Sequence, residues 1–325
     1  MDTTSALRET AKKVLAREDV ACLIGWEKGS YGFRAAPCVL TSPDEADRLI
    51  FSPLCVHNLT NYLTLENIGP LSRSDIGDGK IAIVVKGCDS RALAVLMAEG
   101  GIDRENLVVI AIPSPGVADI KKLDKRFPGA VAPADVVLKG DTFVITCEGE
   151  TTEVPAGELL SAKCTRCRNQ KPVVYDELVG EPRPACDDSY EDVAAQEAKS
   201  LEEKRDYWKN ELSRCIRCYA CRNSCPLCYC SDCVLDRLKP QFIRRSVTVE
   251  ENLLFHVTRA FHLAGRCIDC GECERVCPQG IPLMELNRKL ARDVKDLFDY
   301  EAGMDTEAKP LFATFKVDDP DKGIL

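Results

Sequence analysis

Between residues 215 and 277 the chain carries eleven of its nineteen cysteines, and eight of these form one motif written twice. Cys215, Cys218, Cys221 and Cys225, followed by Pro226, read C-x-x-C-x-x-C-x-x-x-C-P; Cys267, Cys270, Cys273 and Cys277, followed by Pro278, repeat that spacing. Three thiolates at i, i+3 and i+6 reach three irons of one cube from a single tight loop. The fourth is turned away by three further residues and a proline, and in two-cluster proteins it completes the other 4Fe-4S cubane. The spacing therefore predicts Cys215, Cys218, Cys221 and Cys277 as ligands of one cubane, and Cys267, Cys270, Cys273 and Cys225 as ligands of a second. Zinc knuckles need two C-x-x-C pairs and gain nothing from a C-x-x-x-C-P ending. A disulfide framework needs an oxidising compartment, and no export signal is recognisable at the start of the sequence.

The other limits come from size and charge. A chain of 325 residues with 45% hydrophobic content buries a sizeable core and is expected to form two domains. It has no apolar run long enough to cross a bilayer, so no membrane insertion is expected. With 52 acidic against 43 basic residues its formal charge is -9, which argues against nucleic acid as a partner. Thiols in such number without an export signal suit a reducing, cytoplasmic setting in which they bind metal.

Taken in order, residues 5–17 read as an amphipathic helix, 21–25 and 36–40 as strands, 45–50 and 54–65 as helical. The best-defined unit is a buried strand at 81–85, the turn Lys86, Gly87, Cys88, Asp89, a helix over 90–101 and a strand at 107–112. This is a βαβ unit with a right-handed crossover. Asp89 is placed to cap the helix and Gly100-Gly101 to end it. Residues 116–126 read as helix, and two strand-like runs, ADVVL and DTFVITCEG, follow. The predicted fold class is an α/β domain with a mainly parallel sheet over 1–160, then an α-helical two-cluster ferredoxin domain over 201–298. A cysteine-containing linker (161–200) joins them, and a tail over 299–325 is read as a partner-binding segment. Neither a G-x-G-x-x-G nor a P-loop pattern is present.

The remaining cysteines are less constrained. Cys88 lies at the carboxyl end of a strand and at a helix start, where open sheets place ligands and a helix dipole favours thiolate; packing as a small buried residue is the alternative. Cys164 and Cys167 form a lone C-x-x-C. A third 4Fe-4S cluster on Cys55, Cys88, Cys164 and Cys167 is one reading, and zinc or free thiols are the others. Cys228, Cys230 and Cys233 follow the first motif directly, either as additional metal ligands or as shapers of the polarity around the cubane. Cys186 receives no role, and His57, His256 and His262 lack any cysteine-histidine spacing and read as structural.

The run RCIRCYACRNSCPLCYCSDCV from Arg214, together with AGRCIDCGECERVCPQGIPL, resembles the two-cluster domain of anaerobic sulfite reductase A subunits and sulfhydrogenase β subunits. It also resembles the helical ferredoxin domain of the heterodisulfide reductase C subunit. The turn Lys86 to Asp89 with Arg91-Ala92-Leu93, and the segment CTRCRNQKPVVYDELVG from Cys164, are similar to the β subunits of deazaflavin-dependent hydrogenases and formate dehydrogenases. In those relatives the ferredoxin domain usually comes first, and position 87 is often proline. The resemblance implies an iron-sulfur electron-transfer subunit of a multi-subunit anaerobic oxidoreductase. Its implied partners are a catalytic dehydrogenase or hydrogenase subunit, a flavoprotein, or heterodisulfide-reductase-like subunits. It further implies a third 4Fe-4S cluster and FAD in the α/β domain, with Lys86, Gly87, Cys88 and Asp89 at the cofactor. With flavin present, the alternative is a catalytic subunit exchanging hydride with a deazaflavin or nicotinamide coenzyme.

Overall fold

A computed structural model describes residues 2–65, 67–68, 71–182 and 184–313. The chain forms two compact units, Met1–Asp187 and Asp188–Leu325, and the division falls inside the 161–200 segment read above as a linker. Of the C-terminal tail, residues 314–325 lie outside the described residues.

In the first unit, helix α1 (Thr3–Leu15) turns Leu7, Ala11, Val14 and Leu15 inward at helical spacing, and Asp2 caps it through the Ser5 N–H. Strands β1 (Val20–Lys28) and β2 (Ala35–Leu40) form an antiparallel pair. Strand β3 (Lys80–Val85), helix α2 (Gly87–Ala98) and strand β4 (Leu107–Ala111) supply the predicted βαβ unit. Helix α3 (Ile120–Arg126) precedes an antiparallel meander of β5 (Asp135–Lys139), β6 (Thr142–Cys147) and β7 (Glu150–Pro155). The short strand β8 (Glu177–Leu178) then returns to the first sheet. That sheet has the order β8-β4-β3-β1-β2, with every pairing parallel except β1 with β2. Residues 81–85 and 107–111 are buried throughout, as strands covered on both faces must be.

Local propensity gave way to tertiary pairing in three places. The 45–50 segment is a 3-10 stretch, Pro43–Arg48, rather than a longer helix, because Leu49 bridges to Glu27 and the Ile50 N–H bonds the Trp26 carbonyl at 2.8 Å. Within 54–65 only Leu59–Thr64 is helical, again 3-10 and capped by Asn58. In the 116–126 segment helix begins only at Ile120, since Gly116 has φ of 122° and the Ala118 N–H is taken by the Pro53 carbonyl. Strand β7, made of ETTEVP, carries no apolar alternation and was not anticipated.

At the β3–α2 junction Asp89 caps the helix from its third position, through a capping box, while Lys86 holds the N-cap. The helix starts at Gly87, and the Asp89 carboxylate reaches back to the Lys86 N–H (3.0 Å) and to its ammonium (2.9 Å). Lys86 also donates to the His57 carbonyl at 2.8 Å and lies 4.2 Å from the Trp26 ring centroid. Both ends of this ion pair are sealed from water, with side-chain exposures of 2% and 1%. At the far end Gly100, with φ of 68°, lets the Gly101 N–H close onto the Leu96 carbonyl at 2.8 Å.

The second unit is helical, as expected. Helices α4 (Glu191–Glu197), α5 (Leu201–Ser213), α6 (Val249–His262) and α7 (Leu283–Phe298) surround two cysteine loops that each contain one helical turn, Ala220–Asn223 and Glu272–Arg275. Ser200 with Glu203, and Thr248, cap α5 and α6. Among the described residues no helix is long and apolar enough to cross a membrane.

Removing one end of a buried ion pair strands the other. Asp89→Ala should therefore lower the stability of the full chain by about 3–5 kcal/mol in urea unfolding followed by circular dichroism, and the apolar double replacement Lys86→Met with Asp89→Leu should cost less than either single change. A single replacement costing under about 1 kcal/mol would contradict a buried, mutually dependent pair.

Candidate metal centres

The two cysteine loops are twins in backbone as well as sequence. Arg217 and Tyr219 in the first, and Asp269 and Gly271 in the second, hold the left-handed conformation at matching positions, with φ of 51°, 59°, 55° and 67°. In each loop the third residue turns its N–H back onto the first sulfur: Arg217 onto Cys215 at 3.4 Å, and Asp269 onto Cys267. For non-glycine residues this conformation costs about 1–3 kcal/mol and persists where the surroundings fix it. Here the helices do so. The Arg217 guanidinium donates to Asn252 Oδ1 at 3.1 Å and stacks on Phe255 at 4.6 Å, while Asn252 Nδ2 donates to the Cys215 and Leu212 carbonyls at 2.9 and 3.0 Å. On the second loop the Asp269 carboxylate receives Arg288 at 2.6 Å. Arg288, 2% exposed, also binds Asp188 at 2.9 Å and Asp192 at 2.6 Å.

A small cavity of about 20 Å³ lies among these elements, and its wall includes Cys215, Cys218, Cys221 and Cys277 together. Three come from the first motif and one from the second. His256 Nε2 stands 3.3 Å from the Cys215 sulfur, and the Ile281 N–H points at the Cys277 sulfur at 3.5 Å. Conversely, Cys225 of the first motif acts electrostatically on Cys267 and Cys273 of the second, and Asn287 Nδ2 lies 3.5 Å from the Cys273 sulfur. Cys270 is buried and Cys218 exposed. Burial pushes the thiols of Cys221, Cys267 and Cys273 up to about 12, and raises Cys215. Thiolates in these loops thus require positive charge beside them, which is what bound metal provides. Among the described residues no three His, Cys, Asp or Glu side chains converge as a single ion would demand. The donor set, thiols of both loops gathered on one wall, thus fits 4Fe-4S clusters.

His256 is 3% exposed, and burial, with Arg259 and Arg217 nearby, lowers it to about 4, so it faces Cys215 as a neutral ring. His57 contributes its carbonyl to Lys86, and His262 lies at the exposed end of α6. Of the three cysteines past the first motif, Cys228 is half-buried against Cys225, whose thiol hydrogen-bonds it and lowers its pKa; Cys230 is exposed and Cys233 half-buried.

In the first unit the structure brings together a partly different thiol set from the one the sequence suggested. Cys88 is influenced by Cys167 and by Lys163, and Cys167 by Cys164, Cys186 and Arg91. The Cys186 N–H bonds the Cys167 carbonyl at 2.8 Å and its sulfur meets the Cys164 carbonyl at 3.7 Å. Cys55 is fully buried in the apolar core, its sulfur between the Ser52 N–H (3.4 Å) and the Ile50 carbonyl (3.8 Å), and the charges acting on it are Lys86 and Asp89. Lys86 and Asp89 themselves face each other, so within the 86–89 turn Cys88 is the member with solvent access. Beside this thiol group a cleft of about 480 Å³ runs along the carboxyl ends of β4 and β8, rimmed by Pro113, Pro115, Gly116, Pro182 and Pro184. The residue after Gly116, Val117, donates its N–H to the Cys164 sulfur at 3.4 Å. Cys186 escaped the sequence reading because proline-rich, polar surroundings hide a fold-back that only backbone pairing to Cys167 creates.

Residues 214–282 match the 4Fe-4S dicluster domain family. Over 93% of its length the chain is 25% identical to the F420-dependent formate dehydrogenase subunit beta of Methanocaldococcus jannaschii, covering 92% of that protein. It is likewise 25% identical to F420-dependent formate dehydrogenase 1 subunit beta of Methanococcus maripaludis, over 92% of this chain and 90% of that one. Among solved structures it is similar to a chain of the F420-reducing NiFe hydrogenase complex from Methanosarcina barkeri, with a TM-score of 0.38, 15% identity, and coverage of 51% and 62% of the two chains.

The 86–89 turn depends on glycine for space: a Cβ at Gly87 would fall on the Asn169 carbonyl oxygen, in the loop that follows Cys167. Gly87→Ala should therefore displace that loop, destabilising it by about 1–3 kcal/mol. Hydrogen exchange should rise at 164–186 and stay unchanged in the second unit; unaltered exchange would contradict the close approach.

Proposed function

We propose that this chain is an iron-sulfur electron-transfer subunit of a multi-subunit anaerobic oxidoreductase of the formate dehydrogenase, hydrogenase or heterodisulfide reductase type. The observation that carries the reading is the single cavity walled by Cys215, Cys218, Cys221 and Cys277, which unites three thiols of one motif with the fourth of the other. It is supported by near-full-length similarity to two formate dehydrogenase beta subunits. In this reading those four thiols hold one 4Fe-4S cubane, and Cys267, Cys270, Cys273 and Cys225 hold a second. A cubane in such a site supplies one-electron carriage. The chain's own contribution is to bury most of the thiols, aim backbone N–H groups at sulfur and keep water away, and these hydrogen bonds and burial are what tune a cluster's potential.

For the first unit we place a third cubane on Cys88, Cys164, Cys167 and Cys186, with Cys55 as a core residue. The fold-back of Cys186 onto Cys167 and Cys164 favours this set over the one containing Cys55. Cys228, Cys230 and Cys233 shape the surroundings of the second cubane. The chain acts in the cytoplasm, docked to catalytic, flavoprotein or heterodisulfide-reductase-like subunits.

A second reading rests on the proline-rimmed cleft. It lies at the carboxyl edge of a mainly parallel sheet, where such folds bind cofactors, and reaches the backbone that hydrogen-bonds Cys164. FAD held there would make the chain catalytic, exchanging hydride with a deazaflavin or nicotinamide coenzyme.

Iron, acid-labile sulfide and flavin per chain, measured on anaerobically purified protein, test both readings. About twelve irons are expected, with Cys221→Ala, Cys273→Ala and Cys186→Ser each losing about four and Cys55→Ser losing none. Full iron in Cys221→Ala or Cys273→Ala would remove the dicluster assignment. Full iron in Cys186→Ser would remove the third site. One FAD per chain decides for the catalytic reading, and its absence for the relay alone.

A further inference from the structure

The two cysteine loops of the second unit share one buried cation. Arg259, on the inner face of α6, is 2% exposed. One of its terminal nitrogens donates to the Cys221 carbonyl at 2.9 Å, and its Nε has no hydrogen-bond partner. The thiols acting on the guanidinium are Cys221 from the first ligand set, Cys225 and Cys273 from the second, and the adjacent Cys228. A buried guanidinium without a carboxylate partner is costly unless negative charge stands beside it. Besides that backbone bond the guanidinium hydrogen-bonds Cys228, which is itself hydrogen-bonded to Cys225 of the second ligand set, so it links to both sets.

We propose that Arg259 is the common counter-charge of the two cubanes and sets their reduction potentials together. The inference rests on the two-cubane reading above. Four thiolates outweigh the charge of an oxidised cubane core, so each site is anionic before reduction, and reduction adds one further electron without making or breaking a bond. A cation at low dielectric beside both sites stabilises the reduced form of each, and one placed between them makes either reduction easier. Arg259 is thus a positioning residue in the electrostatic sense: it holds a fixed charge where the added electron resides. The loop geometry depends on other groups, chiefly Asn252, Arg217 and Arg288.

The test is an EPR-monitored redox titration of the full chain, with dithionite as reductant and iron counted on every sample. Arg259→Gln keeps a donor for the Cys221 carbonyl and removes the charge; Arg259→Lys keeps the charge. The expected result for Gln is a fall of about tenfold in the reduction equilibrium constant of both clusters, equivalent to about 59 mV for each one-electron couple, at unchanged iron content. Lys should restore most of that loss. Unchanged potentials in Gln, a shift confined to one cluster, or equal shifts in Gln and Lys would overturn the proposal. Iron loss in Gln and Lys alike would also overturn it, by reducing Arg259 to a strut for the Cys221 loop. Wild-type iron below about eight per chain would instead remove the two-cubane reading on which the proposal stands.

Discussion

Negative charge on sulfur cannot be buried alone, and the second unit is arranged around that constraint. Several of the thiols lie in apolar surroundings that drive them toward the neutral form. The chain answers with groups that tolerate or favour charge at sulfur: N–H donors from left-handed turns, the Asn287 amide, and the buried guanidinium of Arg259. Metal binding and folding are coupled in such a site, because the ligand geometry and the relief of buried charge arise together.

In the proposed assignment the exchange of the fourth cysteine ties the two motifs into one object. Cys277 lines the first loop's cavity and Cys225 acts electrostatically on Cys273 of the second, so in that assignment neither loop completes its ligand set without the other. Helices α6 and α7 lock this arrangement from either side. Asn252 and Phe255 hold Arg217 in the first loop, and Arg288 holds Asp269 in the second. The strained backbone of each loop is thereby fixed by side chains whose only alternative is an unpaired buried group. For a relay this rigidity has a function: potentials set by hydrogen bonds and fixed charge stay constant only if those groups do not move.

Much of this was legible in the sequence, for physical reasons. Ligand spacing encodes loop geometry directly, which is why the two loops are twins in backbone as well as sequence; the exchanged pairing of Cys225 and Cys277 is what three residues and a proline lead one to expect. Buried parallel strands at 81–85 and 107–111 announce themselves as unbroken apolar runs. What stayed hidden depends on long-range contact. The shortened helices at 43–48 and 120–126 yield to backbone bonds with Trp26 and Pro53. The pairing of Lys86 with Asp89, and the fold-back of Cys186 onto Cys167, come from packing that no local pattern records. The burial of Arg259 against the Cys221 carbonyl likewise comes from a helix meeting a cysteine loop, which no local pattern records.

The central claim is that the two motifs trade their last cysteine, and ligand-specific EPR tests it most directly. Reduced full-length chain with Cys277→Ser should show an altered signal for the same cluster that Cys218→Ser alters, with the other cluster's signal intact. If Cys277→Ser instead perturbs the signal that Cys270→Ser perturbs, each motif closes its own cluster, and the account of the second unit is wrong.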